Sequence, residues 1–211
     1  MIKLLRTLLC IGVFSLGLLS VANANLEVRL GGKAVYDTDL NITWLADANY
    51  AQTSGYDADG QMNWFDANTW AASLNIGGVS GWRLPKADTN CLGGGTCTDS
   101  EMGHLYAIEL GVRSPNPILE SSDPDLALFT HIRLGYYWAS EEYGPIPDRA
   151  WLFYFHSGHQ IAVDKPNPLY AWAVHDGDVA LLVPEPETYA MLMAGLGLLG
   201  FMARRRKESI V

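Results

Sequence analysis

Two apolar segments, one at each end of the chain, decide how much of it is available to fold. Near the C-terminus the sequence reads Pro184-Glu185-Pro186, then an apolar run from Tyr189 to Ala203, then Arg204-Arg205-Arg206-Lys207. The prolines cannot extend a helix backwards, so they hold an extended stretch ahead of the run. The run itself would make a helix of roughly 22 Å, somewhat short of the ~20 residues that a comfortable span requires. It reads as a single transmembrane helix over 189–203, with the basic cluster of 204–207 on the cytoplasmic side. At the other end, Lys3 and Arg6 precede an apolar stretch from Leu8 to Val21, and Ala22-Asn23-Ala24 supplies an A-x-A cleavage site. Residues 1–24 are therefore read as a signal peptide, removed to leave Asn25 at the start of the mature chain. Cys10 lies within it and follows Leu9, which is not the small residue that a lipoprotein signal needs.

Residues 25–182 remain to fold, a length suited to one globular domain. Of 23 acidic residues 20 fall between the two signals, against only 8 of 14 basic ones, so the exported part carries a net charge near −12. Such a field repels nucleic acid and anionic polysaccharide and favours cations or neutral partners. Nucleic-acid binding is excluded on this ground. Cys91 and Cys97 flank Gly93-Gly94-Gly95. In an oxidising compartment this favours a disulfide over free thiols, and two cysteines without an adjacent histidine make a poor zinc site.

Apolar and polar residues alternate from Leu26 to Leu45, predicting short strands with turns at Gly31-Gly32 and over Asp37 to Asn41. Asp47 to Asn63 is polar and reads as a loop. A helix is expected from Asp66 to Leu74, with Asp66 as its N-cap and Ala67, Trp70, Ala71 and Leu74 on one face. A second is expected from Asp99 to Leu110, with a Thr98–Glu101 capping box and Gly111 past its C-terminus. Trp82 to Pro85 reads as a short strand or turn. Beyond a Pro-rich stretch, strands are expected over Gly135–Ser140, Ala150–Phe155, Gln160–Val163 and Leu169–Val174. Two early helices and a later antiparallel sheet make an α+β domain.

The tail, with its three parts in this order, resembles the PEP-CTERM sorting signal over 183–207. That resemblance implies export, tethering at the inner membrane facing the periplasm, and processing by an exosortase near Pro184, Glu185 and Pro186. Delivery to the cell surface or the extracellular polysaccharide matrix would follow. The domain carries a second series: V-Y-D…L-x-I-T-W (Val35 to Trp44), G-W-R-L-P (Gly81 to Pro85), E-M-x-H-L (Glu101 to Leu105), Y-Y-W-A-S (Tyr136 to Ser140), A-W-x-F (Ala150 to Phe153) and A-W-A-V (Ala171 to Val174). This series resembles the Lcl C-terminal domain family. The resemblance implies a C-type-lectin-like fold, with two helices packed on an irregular antiparallel sheet, and binding of glycan or matrix.

The candidate sites are few. Asp57, Asp59 and Asn63 lie in a D-x-D-G turn with alternate oxygen ligands, a possible Ca2+ site that lacks the bidentate Glu of an EF-hand loop. Asp37, Asp39 and Asn41 pose the same question more weakly, and turn chemistry alone accounts for both. His156 and His159 form H-x-x-H without a third ligand in view, and His104 reads as structural. The seven tryptophans, Trp44, Trp64, Trp70, Trp82, Trp138, Trp151 and Trp172, offer either a sugar-stacking platform or core; core is the better reading, with Trp64 the least committed. Arg83 is expected to be a structural anchor. G-x-S-x-G, H-E-x-x-H and P-loop motifs are all absent, so a non-catalytic role is expected. The alternative is a calcium-dependent or enzymatic module using the Asp57 loop.

Overall fold

The computed structural model describes residues 25–91, 96–182 and 191–196. The signal peptide and the PEP and basic parts of the tail lie outside the described residues. Within the expected transmembrane segment, residues 191–196 are helical and exposed. Among the described residues no helix is long and apolar enough to cross a membrane.

The domain is a mixed helix-and-sheet structure with two sheets rather than one. The first is built from β1 (Leu26–Arg29), β2 (Ala34–Asp37) and β3 (Ile42–Leu45), the three strands expected from the N-terminal alternation. Its fourth strand comes from the far end of the domain, β9 (Val174–Asp176), which pairs antiparallel with β3 through Trp44 and Val174. The second sheet has the order β4-β8-β5-β6-β7. It comprises β4 (Gln61–Met62), β5 (Tyr136–Glu142), β6 (Arg149–Tyr154), β7 (His159–Asp164) and β8 (Leu169–Tyr170). Most pairings are antiparallel, as expected, but β5 and β8 run parallel.

The expected strand over Leu169–Val174 is thus two strands in different sheets. Between them lies Ala171-Trp172-Ala173, fully buried. Its continuous apolar character resembles a strand, yet this segment carries the chain from one sheet to the other and supplies the core between them. Trp172 donates its indole N–H to the Leu45 carbonyl at 2.7 Å and packs against Trp44, Phe129, Phe155 and Tyr137 with centroids 5.1–6.0 Å apart.

The helices begin and end differently from the sequence expectation. A short helix, α1 (Tyr50–Thr53), and strand β4 interrupt the stretch read as a loop. The helix α2 (Trp64–Ser73) starts two residues before Asp66, because Asn63 is its N-cap, accepting from the amides of Phe65 and Asp66. Asp66 sits in its first turn and accepts from the Asn63 side chain. The second expected helix is a single α-helical turn, α3 (Glu101–His104), followed by a π turn over Leu105–Glu109. Its N-cap is Ser100, whose hydroxyl accepts from the Gly103 amide at 3.0 Å, rather than Thr98. Glu101 cannot close a capping box, since Arg83 and the Lys86 amide already claim its carboxylate. Gly111 does lie past the helical segment with φ +61°, as a C-terminal glycine should.

The disulfide between Cys91 and Cys97 is present. Closing so short a loop removes chain entropy worth about 2 kcal/mol from the unfolded state. Cys91→Ser/Cys97→Ser is therefore expected to lower unfolding free energy by about that amount in urea titration. A loss under about 0.5 kcal/mol would show that the bridge does not constrain the unfolded chain.

Candidate functional site

Strand β2 ends at Asp37, which is fully buried. Its Oδ1 accepts from the amides of Asp39 and Leu40 at 3.1 and 3.0 Å, so the residue forms the turn into β3 in the usual way of aspartate. Its Oδ2 is cut off from solvent and has no hydrogen-bond partner. The Trp44 indole N–H is near enough to favour the charged carboxylate, yet falls short of a hydrogen bond, and its nitrogen too is unpaired.

The segment after α3 meets this turn. His104 ends α3, and Glu109 ends the π turn. In a regular α-helix two residues five apart lie roughly 140° apart around the axis. The wider i→i+5 turn, closed by the Leu110 amide on the Leu105 carbonyl at 3.0 Å, brings them back toward one side. His104 Nε2 consequently lies 3.1 Å from Glu109 Oε1, and 4.0 Å from Asp39 Oδ2. One ligand atom each from Asp37, His104 and Glu109 lies within 4.8 Å of the others.

Electrostatics follow from burial. Desolvation pushes the Asp37 carboxyl above the usual carboxylate range, against the Leu40 amide and the nearby His104. Glu109 is likewise raised, chiefly by desolvation and then by the Asp37 charge, with His104 opposing. Side-chain exposure is 15% for His104 and 3% for Glu109, which leaves room for an ion or a proton but no face for a large substrate. In the sequence the three stand apart: Asp37 is a turn residue and a weaker calcium candidate, His104 reads as structural, and Glu109 belongs to no motif. A 3.6-residue period places Glu109 on another face from His104, so only the π turn reveals the group.

The Asp57 loop is brought to no such group. Asp57 Oδ1 accepts from the amides of Asp59 and Gly60 at 3.0 and 2.7 Å, and Asp59 Oδ1 from the Gln61 amide at 2.9 Å. Desolvation would raise the Asp57 carboxyl, but these amides prevail and hold it below the usual range. Asn63 Oδ1 is committed to capping α2. Turn and cap chemistry therefore account for the spacing of all three residues. His156 and His159 are also divided: His159 Nδ1 bonds to Ser157 Oγ at 2.7 Å, while the His156 ring stacks on Tyr154. Between them, Gly158 holds φ +71°, and a Cβ there would meet the Tyr106 ring at 2.5 Å.

Six of the seven tryptophans are buried, as core. The seventh, Trp64, is half-buried, donates to the Ala139 carbonyl at 2.8 Å and carries the Lys165 ammonium over its ring at 4.6 Å. Arg83 is an anchor: its guanidinium binds both oxygens of Glu101, the Leu84 carbonyl and Asp176.

Phe65 beside Trp64 and Tyr56 are exposed, and a further group of aromatic rings lies on the second sheet. On the second sheet, Tyr136 and Tyr154 are cross-strand partners and stack at 4.2 Å with planes 24° apart. His156 continues the row at 5.5 Å and 14°. Tyr136, which is 39% exposed, also borders a groove of about 280 Å³ lined by Leu152, Ile161, Val163, Asn167, Pro168 and Leu169. A larger cavity of about 560 Å³ opens beside the first sheet, with Lys33, Asp47, Tyr50, Asn75 and Thr130 among its walls.

Comparison with known families returns two matches. Residues 182–207 match the PEP-CTERM protein-sorting motif, which makes the chain an exported, envelope-sorted protein processed by an exosortase. No curated protein matches the chain. Residues 33–175, more than half of the 211, match the model of the Lcl C-terminal domain, and the chain belongs to that family.

Proposed function

We propose that the exported domain is a non-catalytic, C-type-lectin-like module that binds neutral glycan at the cell surface or in the extracellular polysaccharide matrix. The row of Tyr136, Tyr154 and His156 carries this reading. Within the row the rings lie face to face, so a pyranose ring would pack its apolar face on the outer faces of Tyr136 and His156. Asn167 at the neighbouring groove, whose amide nitrogen donates to the Asp164 carbonyl at 3.0 Å, offers its Oδ1 to sugar hydroxyls. The net charge near −12 favours uncharged polymers over anionic ones. Tethering at the inner membrane would precede release, the basic cluster Arg204 to Lys207 marking the cytoplasmic end.

The test is retention on a panel of neutral polysaccharides, with and without added calcium. Tyr136→Ala/Tyr154→Ala is expected to weaken binding about tenfold or more, the ~1.4 kcal/mol that loss of stacked ring contact represents, and calcium is expected to make no difference. Retention on none of the panel would sink the glycan reading. Binding that needs calcium and is lost in Asp57→Asn would favour the alternative, a calcium-dependent module built on Asp57, Asp59 and Asn63.

A further inference from the structure

The glycan reading leaves Asp37, His104 and Glu109 without a role. We propose that these three side chains bind one divalent transition cation, zinc being the representative, and that the ion clamps the β2–β3 turn to the segment following α3. This site is separate from the aromatic row, and its test does not depend on glycan binding.

The donor set selects the class of ion. One imidazole nitrogen and two carboxylates suit zinc, manganese or cobalt, whereas calcium takes six to eight oxygens and no nitrogen. The spacing is close to what such an ion needs. Tetrahedral zinc holds its N and O ligands roughly 3.4 Å apart, given bonds of about 2.0–2.1 Å. His104 and Glu109 are already at 3.1 Å, and Asp37 has its ligand atom within 4.8 Å of both.

Charge and hydrogen bonding point the same way. Among the described residues, His104 is the one basic side chain within ion-pair distance of Asp39 or Glu109, and none comes so close to Asp37. Buried carboxylates so poorly matched are costly, and a dication balances them. Asp37 brings an oxygen that is buried and unpartnered, while its other oxygen is fixed by two backbone amides. That arrangement gives the ligand the outer support that metal-binding carboxylates normally have. Asp39, whose side chain is 44% exposed, stands at the mouth, where it or a water would complete the coordination. The ion takes the place of the hydrogen that bridges His104 Nε2 and Glu109 Oε1, which is released to solvent.

The full chain, purified without a histidine tag, is titrated with Zn2+ by calorimetry and with Co2+ by visible absorption. One equivalent per chain is expected, with d–d bands for the cobalt form. Glu109→Gln and His104→Gln are each expected to weaken binding at least tenfold, whereas His156→Ala/His159→Ala and Asp57→Asn leave it unchanged. Circular dichroism establishes that each variant is folded. A reading that needs no variant is the thermal melt of the wild type: Zn2+ should raise Tm where Ca2+ does not. Absence of saturable Zn2+ and Co2+ uptake, or uptake that depends on His156 and His159 rather than Glu109, would overturn the assignment.

Discussion

Trp172→Ala is expected to lower the unfolding free energy by about 3–5 kcal/mol, the range for truncating a large buried aromatic. The loss has two parts. The vacated volume lies between the two sheets, where Trp44, Phe129, Phe155 and Tyr137 all lean on the indole. The Leu45 carbonyl, which accepts from the indole N–H, is also left without its donor. Against a typical domain stability of about 5–15 kcal/mol, that places the variant near the edge of folding. Trp172→Phe keeps most of the packing and forfeits the hydrogen bond, so a loss of about 1–2 kcal/mol is expected. Urea unfolding followed by circular dichroism distinguishes the two. A cost for the alanine variant below that of the phenylalanine one would show that the indole is not the keystone between the sheets.

Arg83→Met is expected to cost about 3 kcal/mol, since it leaves the Glu101 carboxylate buried without its cation. The guanidinium spans three parts of the chain: its own W-R-L-P segment, the start of α3 through Glu101 at 2.7 and 2.8 Å, and β9 through Asp176. Arg83 and Glu101 side chains are 21% and 10% exposed, so screening trims the figure only modestly. The Asp176 arm is 70% exposed and contributes little. It does leave a signature in acid. The Arg83 hydrogen bond, opposed by desolvation, holds the Asp176 carboxyl below its ordinary range. With the folded value below the unfolded one, this stabilisation is complete above about pH 5 and disappears as pH falls through the folded value. Arg83→Met should flatten that limb of the stability–pH curve. An unchanged acid limb would mean that Arg83 does not set it.

The sheet strands were the most legible part of the chain. The alternation around Val28, Val35 and Trp44 located β1 to β3, and the aromatic runs located β5 to β7 within a few residues. Legibility failed where a local pattern served a non-local end. Ala171-Trp172-Ala173 has the composition of a strand centre, but its role as a crossover is decided by Trp44 and Leu45, more than a hundred residues earlier. Asn63 follows Asp57 and Asp59 at a ligand-like spacing, and its helix-capping role shows only once Trp64 and Phe65 are known to be helical. Thr98 and Glu101 have capping-box spacing, yet Glu101 is drawn off by Arg83, a partner no local window contains. The Asp37–His104–Glu109 group was hidden for the same kind of reason. It depends on a π turn, which departs from the period used to find helices.

The pairing of β9 with β3 has a bearing on export. The chain crosses the membrane N-terminus first, so β1, β2 and β3 emerge early but lack their fourth partner. Trp44 and Arg83 both pair with Val174, and the sorting motif begins at residue 182. The first sheet therefore cannot close until the stretch leading directly into that motif has emerged. An exported chain therefore presents its sorting motif only once every strand of the first sheet is available to pair.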